Sequence, residues 1–339
     1  MRLLILTRHL NCLGENDAPI SNAFRRLGWE VILGDVNTIA ADDYRYFARG
    51  VRVPEDGQPY YPGSAALGDR DAYFLDECQL IWVMTPPHPL VARDVWQMLW
   101  LASQNVRFVN SVEGLAFLDT KHAAGYVVPK ENRPTSYISN DFSLMWERYQ
   151  QIQDQCLVAK PPNAFGGQNV FLLSPNGSNV RTILQCLTGN TVALDEFGAV
   201  AQHGKHELGH GVRGFKAEYA ILQQHIPEVA QGEKRIIVTC GKAVAWHGRQ
   251  SSPDDHRSNL TQGGRLVPVD LHSREVELAE LVGQKLMAHG ITFAGIDMAY
   301  PYVLEFNIAN TGGLYDTQLA SGIDRSDQVA ELLIAYFNR

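Results

Sequence analysis

Gly290–Gly313 reads GITFAGIDMAYPYVLEFNIANTGG, and its pattern predicts a strand, a two-residue turn at Tyr300 and Pro301, and a second strand. Residues two apart on a strand share a face, so Asp297 on the first arm and Glu305 and Asn307 on the second can point to one side. Ile291, Phe293, Ile296, Val303, Leu304, Phe306 and Ile308 make both arms read as buried, and buried acids need partners. Two carboxylates and an amide oxygen are ligands for a hard divalent cation; the plainer alternative is a pair of solvated strand-end acids.

On either side of this hairpin, Arg274 to His289 reads as an amphipathic helix ending at Gly290, and Ser326 to Phe337 as a closing helix. Further upstream RQSSPDDHRSNLTQGGR carries Arg249, Arg257, Arg265 and Asn259. The chain of 339 residues has 29 basic and 37 acidic side chains, a formal charge of −8, so three arginines in one polar stretch point to anion recognition. Surface ion pairs are the alternative. The same charge balance provides no general basic surface for nucleic acid or anionic lipid.

Lys234 to Val238 and Lys242 to Trp246 predict a hairpin around Cys240 and Gly241, with Arg235 projecting from its first arm. Ala220 to Gln224 predicts a strand leading to His225, Ile226 and Pro227. The segment Gly198–Gly214, GAVAQHGKHELGHGVRG, spaces His203, His206 and His210 as metal ligands on a helix would be, but its glycines argue against a helix. A mobile loop near the active site is the expectation there. Leu157 to Ala159 predicts a strand ending at Lys160, followed by PPNAFGGQNVFLL. A lysine at a strand end before a glycine-rich turn can bring an ammonium and backbone N–H groups to the same phosphates, although Gly166 and Gly167 suit a plain hairpin turn equally.

At the amino terminus, strand Arg2 to Thr7, helix Ala18 to Leu27 and strand Trp29 to Leu33 predict a βαβ opening and an open parallel sheet. The connecting HLNCLGEND has one glycine and no dinucleotide fingerprint. Asn37 to Gly68 reads as an excursion from the sheet, and Leu80 to Met84 as a buried strand running into TPPHP. His88 there is either a substrate contact or ordinary helix-start structure. Trp96 and Trp100, four apart in a helix over Val91 to Ala102, are expected in the core. The first domain is expected to close near residue 119. MRLLILTRHLNC reads as a first strand rather than a signal peptide, and no stretch approaches a membrane span. Five widely spaced cysteines without a CxxC predict no disulfide framework or zinc site, and a reducing cytoplasmic setting.

Taken in order, the lysine at 121, KPPNAFGG, GEKRIIV, DDHRSNLTQGGR and the terminal hairpin resemble the ATP-grasp superfamily, and within it bacterial glutathione synthetase and its relatives. The resemblance implies an α/β ATP-grasp fold: an amino-terminal open parallel-sheet substrate domain (1–119), a small central lid (120–225) and a carboxy-terminal mixed α+β catalytic domain (226–339). It implies that Lys121 and Lys160 contact ATP phosphates and that Gly166 and Gly167 belong to the phosphate loop. Gln223, Gln224, His225 and Ile226 would form the adenine hinge and Glu228 would reach the ribose. Asp297, Glu305 and Asn307 would hold two magnesium ions, replaceable by manganese; Arg235 would face the phosphates and acyl substrate, Asn259 support the transferred phosphoryl group and Arg257 bind an anionic substrate or intermediate.

The activity implied is ATP-dependent carboxylate–amine ligation through an acyl-phosphate on a small anionic amino acid or peptide, without nucleic-acid or membrane partners. Relatives of this kind imply a homodimer or homotetramer. Glutathione synthetase proper, a peptide- or protein-modifying ligase and a non-catalytic nucleotide-binding module are the alternatives. NAFGG replaces the DGMGG typical of glutathione synthetases, ANTGG replaces their serine–proline pair, and MTPPHP stands where they carry an aspartate before two prolines. Substrate identity therefore stays open, because fold and nucleotide site do not fix the acceptor.

Overall fold

The computed structural model describes residues 1–8, 10–65, 68–163, 166–188, 218–251 and 263–339. They divide into two compact units, one of residues 1–119, 233–249 and 266–339, the other of 120–232 and 250–265.

The first unit opens with β1 (Arg2–Thr7), α1 (Asp17–Arg26) and β2 (Glu30–Asp35), as the βαβ pattern predicts. β3 (Ala40–Asp42), β4 (Arg45–Arg52), β5 (Asp71–Phe74), β6 (Leu80–Val83), α2 (Ala92–Ala102), β7 (Phe108–Val109) and α3 (Val112–Leu118) follow. Seven strands form one sheet, in order β3-β4-β2-β1-β6-β7 with β5 on β4. β1 runs parallel to β2 and β6, and β6 to β7. Leu3 to Leu6 and Leu80 to Val83 are buried throughout, the continuous apolar run of a strand covered on both faces.

Two expectations are corrected. The first half of the stretch from Asn37 to Gly68 is no excursion: β3 and β4, with β5 just beyond the stretch, extend the sheet with antiparallel pairings. Its first hairpin turns at Asp43 and Tyr44, both in the left-handed region at φ 45° and 62°, without the glycine that advertises such a turn. Trp100 is not in the core but 48 % exposed, beside exposed Leu101. The i,i+4 spacing does give one helix face, but the face turned to the sheet is that of Val95, Leu99 and Ala102.

The second unit contains α4 (Ala124–Val127), β8 (Ser136–Ser139), α5 (Phe142–Ile152), β9 (Leu157–Lys160), β10 (Phe171–Leu173), α6 (Val180–Thr188) and β11 (Ala220–Gln224). Its sheet is antiparallel in order β10-β9-β11-β8. Leu157, Ala159, Ala220 and Leu222 pack with Met145, Tyr149, Leu184 and Leu187 of α5 and α6. By strand alternation Lys160 and Gln223 lie on the opposite face, away from that helical layer.

The chain then returns to the first unit through β12 (Glu233–Thr239) and β13 (Lys242–Gln250). β14 (Arg265–Val267), α7 (Ser273–Met287), β15 (Phe293–Ala299), β16 (Tyr302–Asn307), α8 (Leu314–Ser321) and α9 (Ser326–Phe337) complete it. The second sheet of this unit has the order β14-β13-β12-β15-β16. One core joins the two sheets: Trp82 of β6 meets Phe293 of β15 edge-on, ring centroids 5.0 Å apart. Asn110, buried and left-handed at φ 60°, ties the same junction. Its Oδ1 accepts from the N–H groups of Thr292 and Phe293 at 2.8 Å, and its Nδ2 donates to the carbonyls of Phe293 and Ile308 at 2.7 Å.

Candidate active site

Two bulges set the chemistry of the five-stranded sheet. The β15–β16 hairpin pairs Ala299 with Tyr302 and Met298 with Val303, then shifts register so that Asp297 pairs with Glu305 and Gly295 with Asn307. Leu304 is the extra residue. Without the shift Asp297 would lie opposite Leu304, and the acids would fall on different faces. A second shift, between Ile237 and Val238, brings His247 rather than Trp246 opposite Arg235. Arg235, in turn, pairs with Asp297 on its other side. The result is a row across four strands: His247, Arg235, Asp297, Glu305.

The row is held by charge. Arg235 gives Nε to Asp297 Oδ1 at 2.6 Å and Nη2 to Oδ2 at 2.8 Å, and its Nη1 donates to the Thr311 carbonyl. Arg249, two residues beyond His247 and on the same face, donates from Nη2 to Asp297 Oδ1 and lies 3.3 Å from Glu233 Oε1. Arg235, Arg249, Asp297 and His247 are each at most 9 % exposed. Burial works against the Arg249 charge, but Asp297 and Glu233 outweigh it and hold the guanidinium more firmly protonated than usual. The His247 imidazole is pushed down to about 3, by burial first and then by Arg249 and Arg235, so it is neutral at physiological pH.

Glycines bring the next loop onto this row. A Cβ on Gly295 would lie 2.9 Å from Arg235 Nη1, and one on Gly313 3.2 Å from both Arg235 Cγ and His247 Cε1. Gly313 also takes φ 104°, a conformation closed to other residues without strain. Asn310 fixes the loop from outside: its N–H donates to the Met84 carbonyl at 2.6 Å and its Oδ1 accepts from Asn16 Nδ2 at 2.7 Å. The loop delivers α8, whose Thr317 hydroxyl is 3.1 Å from His247 Nδ1 and whose Asp316 carboxylate is 4.0 Å from Nε2.

Asp297, Glu305 and Asn307 therefore share one face, as expected, although the bulge at Leu304 rather than the spacing around the turn puts them there. Asn307 Nδ2 donates to Asp297 Oδ2 at 3.3 Å, leaving its amide oxygen available to a cation. Glu305 and Asn307 are half-buried. This oxygen-only set of two carboxylates and an amide suits magnesium by ligand type, with Asp297 exchanging a guanidinium hydrogen bond to take part. Among the described residues no three His, Cys, Asp or Glu side chains converge as a metal set.

In the second unit, the Lys121 N–H donates to the Pro162 carbonyl at 3.2 Å, and Lys160 is 7 % exposed at the end of β9. Gly166 and Gly167 are both left-handed, at φ 63° and 71°. The Gln224 and His225 N–H groups donate to Thr135 and Cys156 carbonyls, so neither is spare for a ligand. Ile226 is buried, and Glu228 buries Oε2 without a hydrogen-bond partner among the described residues, an orphan that a ligand hydroxyl would satisfy. Arg257, Asn259 and the Gly198–Gly214 segment lie outside the described residues. His88 is exposed, its Nδ1 accepting from the Leu90 N–H at 3.2 Å within its own turn.

Sequence reading did not single out His247 or Asp316, and took Arg249 only as a member of the arginine-bearing loop. For His247 and Arg249 the signal that could have found them is strand parity from Arg235, which the bulge at Ile237 and Val238 displaces by one residue; Asp316, on a helix, carries no such signal.

Residues 207–321 match the family model for the prokaryotic glutathione synthetase ATP-grasp domain. The chain is 24 % identical to glutathione synthetase of Gloeobacter violaceus over 99 % of its own length and 97 % of that protein's. Among solved structures it is similar to the D-cycloserine synthetase DcsG, with a TM-score of 0.62 and 13 % identity over 99 % of this chain and all of that one. It is likewise similar to the macrocyclase MdnC bound with precursor peptide MdnA from Microcystis aeruginosa, TM-score 0.60, 14 % identity, over 99 % of this chain and all of that one. No helix among the described residues is long and apolar enough to cross a membrane. The chain is an ATP-grasp ligase, a member of that superfamily related to the glutathione-synthetase-like carboxylate–amine ligases.

Proposed function

We propose that the protein joins a carboxylate to an amine at the expense of ATP, through an acyl-phosphate, on a small amino acid or peptide. The observation that carries this reading is the row Arg235, Asp297, Glu305, its first two members buried and the third half-buried, with Asn307 beside it. Membership of the superfamily implies ATP and magnesium. Asp297, Glu305 and Asn307 would hold the metal, which when bound neutralises phosphate charge. In the second unit Lys121, Lys160 and the Gly166–Gly167 turn would bind phosphates, and Glu228 would take the ribose hydroxyl. Ile226 would offer its N–H to the base, because those of Gln224 and His225 are already used.

The substrate carboxylate oxygen attacks the γ-phosphorus, the bond to the β-bridging oxygen breaks and ADP leaves. The amine nitrogen then attacks the acyl carbon and inorganic phosphate departs. Positioning and electrostatics carry such a reaction, and no side-chain nucleophile is needed. Burial raises the thiols of Cys78 and Cys240 to about 12 and about 11, which suits inert packing groups rather than nucleophiles.

The experiment is ADP release with an amino-acid and dipeptide library, products identified by mass. Turnover only with γ-glutamylcysteine and glycine would specify glutathione synthesis; silence across a broad library with folded protein would refute the ligase reading. A second reading, a peptide acceptor, draws on the likeness to a macrocyclase that binds a precursor peptide. Intact-mass analysis of peptides incubated with ATP separates the two. A homodimer or homotetramer, as among relatives, and a cytoplasmic setting complete the proposal.

A further inference from the structure

We infer that Asp316 receives the ammonium group of the amine co-substrate, making the acceptor a primary amine that is cationic when free; this rests on the ligase reading above. The inference follows from a charge count on one face of the first unit. Arg235 and Arg249 are both engaged, the first by Asp297 and the Thr311 carbonyl, the second by Asp297 and Glu233. With Glu305 in the same row, two cations thus face three anions among the described residues. Asp316 is a further carboxylate, with side-chain exposure of 17 %, and no hydrogen bond to it forms among the described residues.

Among the described residues the basic group that approaches it is His247, with Nε2 at 4.0 Å, beyond hydrogen-bond reach, and that imidazole is neutral. Glu15, in the loop after β1, adds a second negative charge rather than a cation. Burial pushes the Asp316 carboxyl above the usual range although Arg249 and Arg235 pull it down. Arg249 keeps a buried Nε without a hydrogen-bond partner, yet neither guanidinium comes within 4.0 Å of Asp316, so this partly buried carboxylate is best satisfied by a cation from outside, and solvent reaches it. His247 and Thr317 act as positioning residues, their 3.1 Å contact pinning the first turn of α8 that carries Asp316.

On attack the C–N bond forms and the acyl C–O bond breaks. Of the two protons the ammonium loses, one leaves with the phosphate and the other passes to solvent by way of Asp316.

The test uses the full chain with ATP, magnesium and a mixture of amino acids and dipeptides as carboxylate donors. The nucleophile is either hydroxylamine, uncharged near neutral pH, or the amines of the mixture. Asp316→Asn should keep hydroxamate formation within about threefold of the wild type while amide formation falls at least about tenfold, the loss expected for a charge-assisted hydrogen bond. Asp316→Glu, which restores the charge, should recover part of the amide rate. Asp316→Ser should show the same split as Asp316→Asn, so a single misfolded variant does not decide the matter. Equal loss with both nucleophiles, or amide formation left intact, overturns the assignment. Wild type that releases no ADP and forms no hydroxamate in any mixture overturns the ligase reading itself and this inference with it.

Discussion

Arg235 lies directly across the ladder from Asp297 and takes both its carboxylate oxygens, Nε on Oδ1 at 2.6 Å and Nη2 on Oδ2 at 2.8 Å. A fork-on-carboxylate pair of this kind fixes the acid's orientation as well as its charge. Its stabilising value is conditional. Desolvating both ions costs about as much as their attraction returns, whereas removing one partner leaves an uncompensated buried charge.

Arg235→Ala should therefore lower unfolding free energy by about 3 kcal/mol, the lower end for breaking a buried pair, since Arg249 still holds Asp297. Adding Asp297→Ala should return part of that loss. Urea denaturation of the single and double variants measures both, and strictly additive losses would show that the two side chains are not coupled.

Glu305→Gln is the complementary case, because Glu305 is half-buried and its substitution keeps volume while removing charge. The melting temperature should move little. Turnover should fall by about 100-fold, the equivalent of roughly 3 kcal/mol of metal-borne charge stabilisation. A magnesium titration should show a weakened apparent affinity in the variant. Unchanged turnover would remove Glu305 from the metal site.

How much of this was legible in sequence depended on bulges. The apolar runs of β1, β6 and β15 announced themselves, since strands buried on both faces lack competing patterns. Asp297, Glu305 and Asn307 were found from their spacing, although it is the extra residue Leu304 that actually puts Glu305 opposite Asp297. His247 was not legible: counting back from the turn at Cys240 and Gly241 sets Trp246 opposite Arg235, and only the register shift exchanges them. β3 to β5 were missed because Asp43 and Tyr44 adopt left-handed turn conformations that their side chains do not advertise. Asp316 belongs to a different class. Its place depends on a loop held by Asn16 and Met84, both far back in the amino-terminal third of the chain.

Asn110 offers a test of how the two sheets of the first unit are joined. Its side chain makes four hydrogen bonds at 2.7 to 2.8 Å to the segments that begin and follow the β15–β16 hairpin. Asn110→Ala should leave two buried N–H groups and two carbonyls short of a partner, and replace a residue that tolerates φ 60° with one that does not. A loss of at least about 3 kcal/mol is expected in denaturant titration. Asn110→Gly should separate the contributions by restoring the backbone freedom alone.

The pH dependence of stability should carry the signature of His247. Folding holds this imidazole down to about 3, against an ordinary value of 6.5. Between those values the unfolded chain binds a proton that the folded chain does not, so stability rises with pH through the window and is complete above about 6.5. As pH falls from there toward 3, that stability is progressively lost. Carboxylates add their own acid sensitivity, which a His247→Gln variant retains in common with the wild type. At pH 7.5 the variant should be less stable by about 1 kcal/mol, for the hydrogen bond to Thr317. Between pH 7.5 and 4.5 the wild type should lose about 3 kcal/mol more than the variant, the share of the shift expressed by that pH. Parallel stability curves for the two proteins would show that the imidazole titrates normally and is not buried between Arg235, Arg249 and α8.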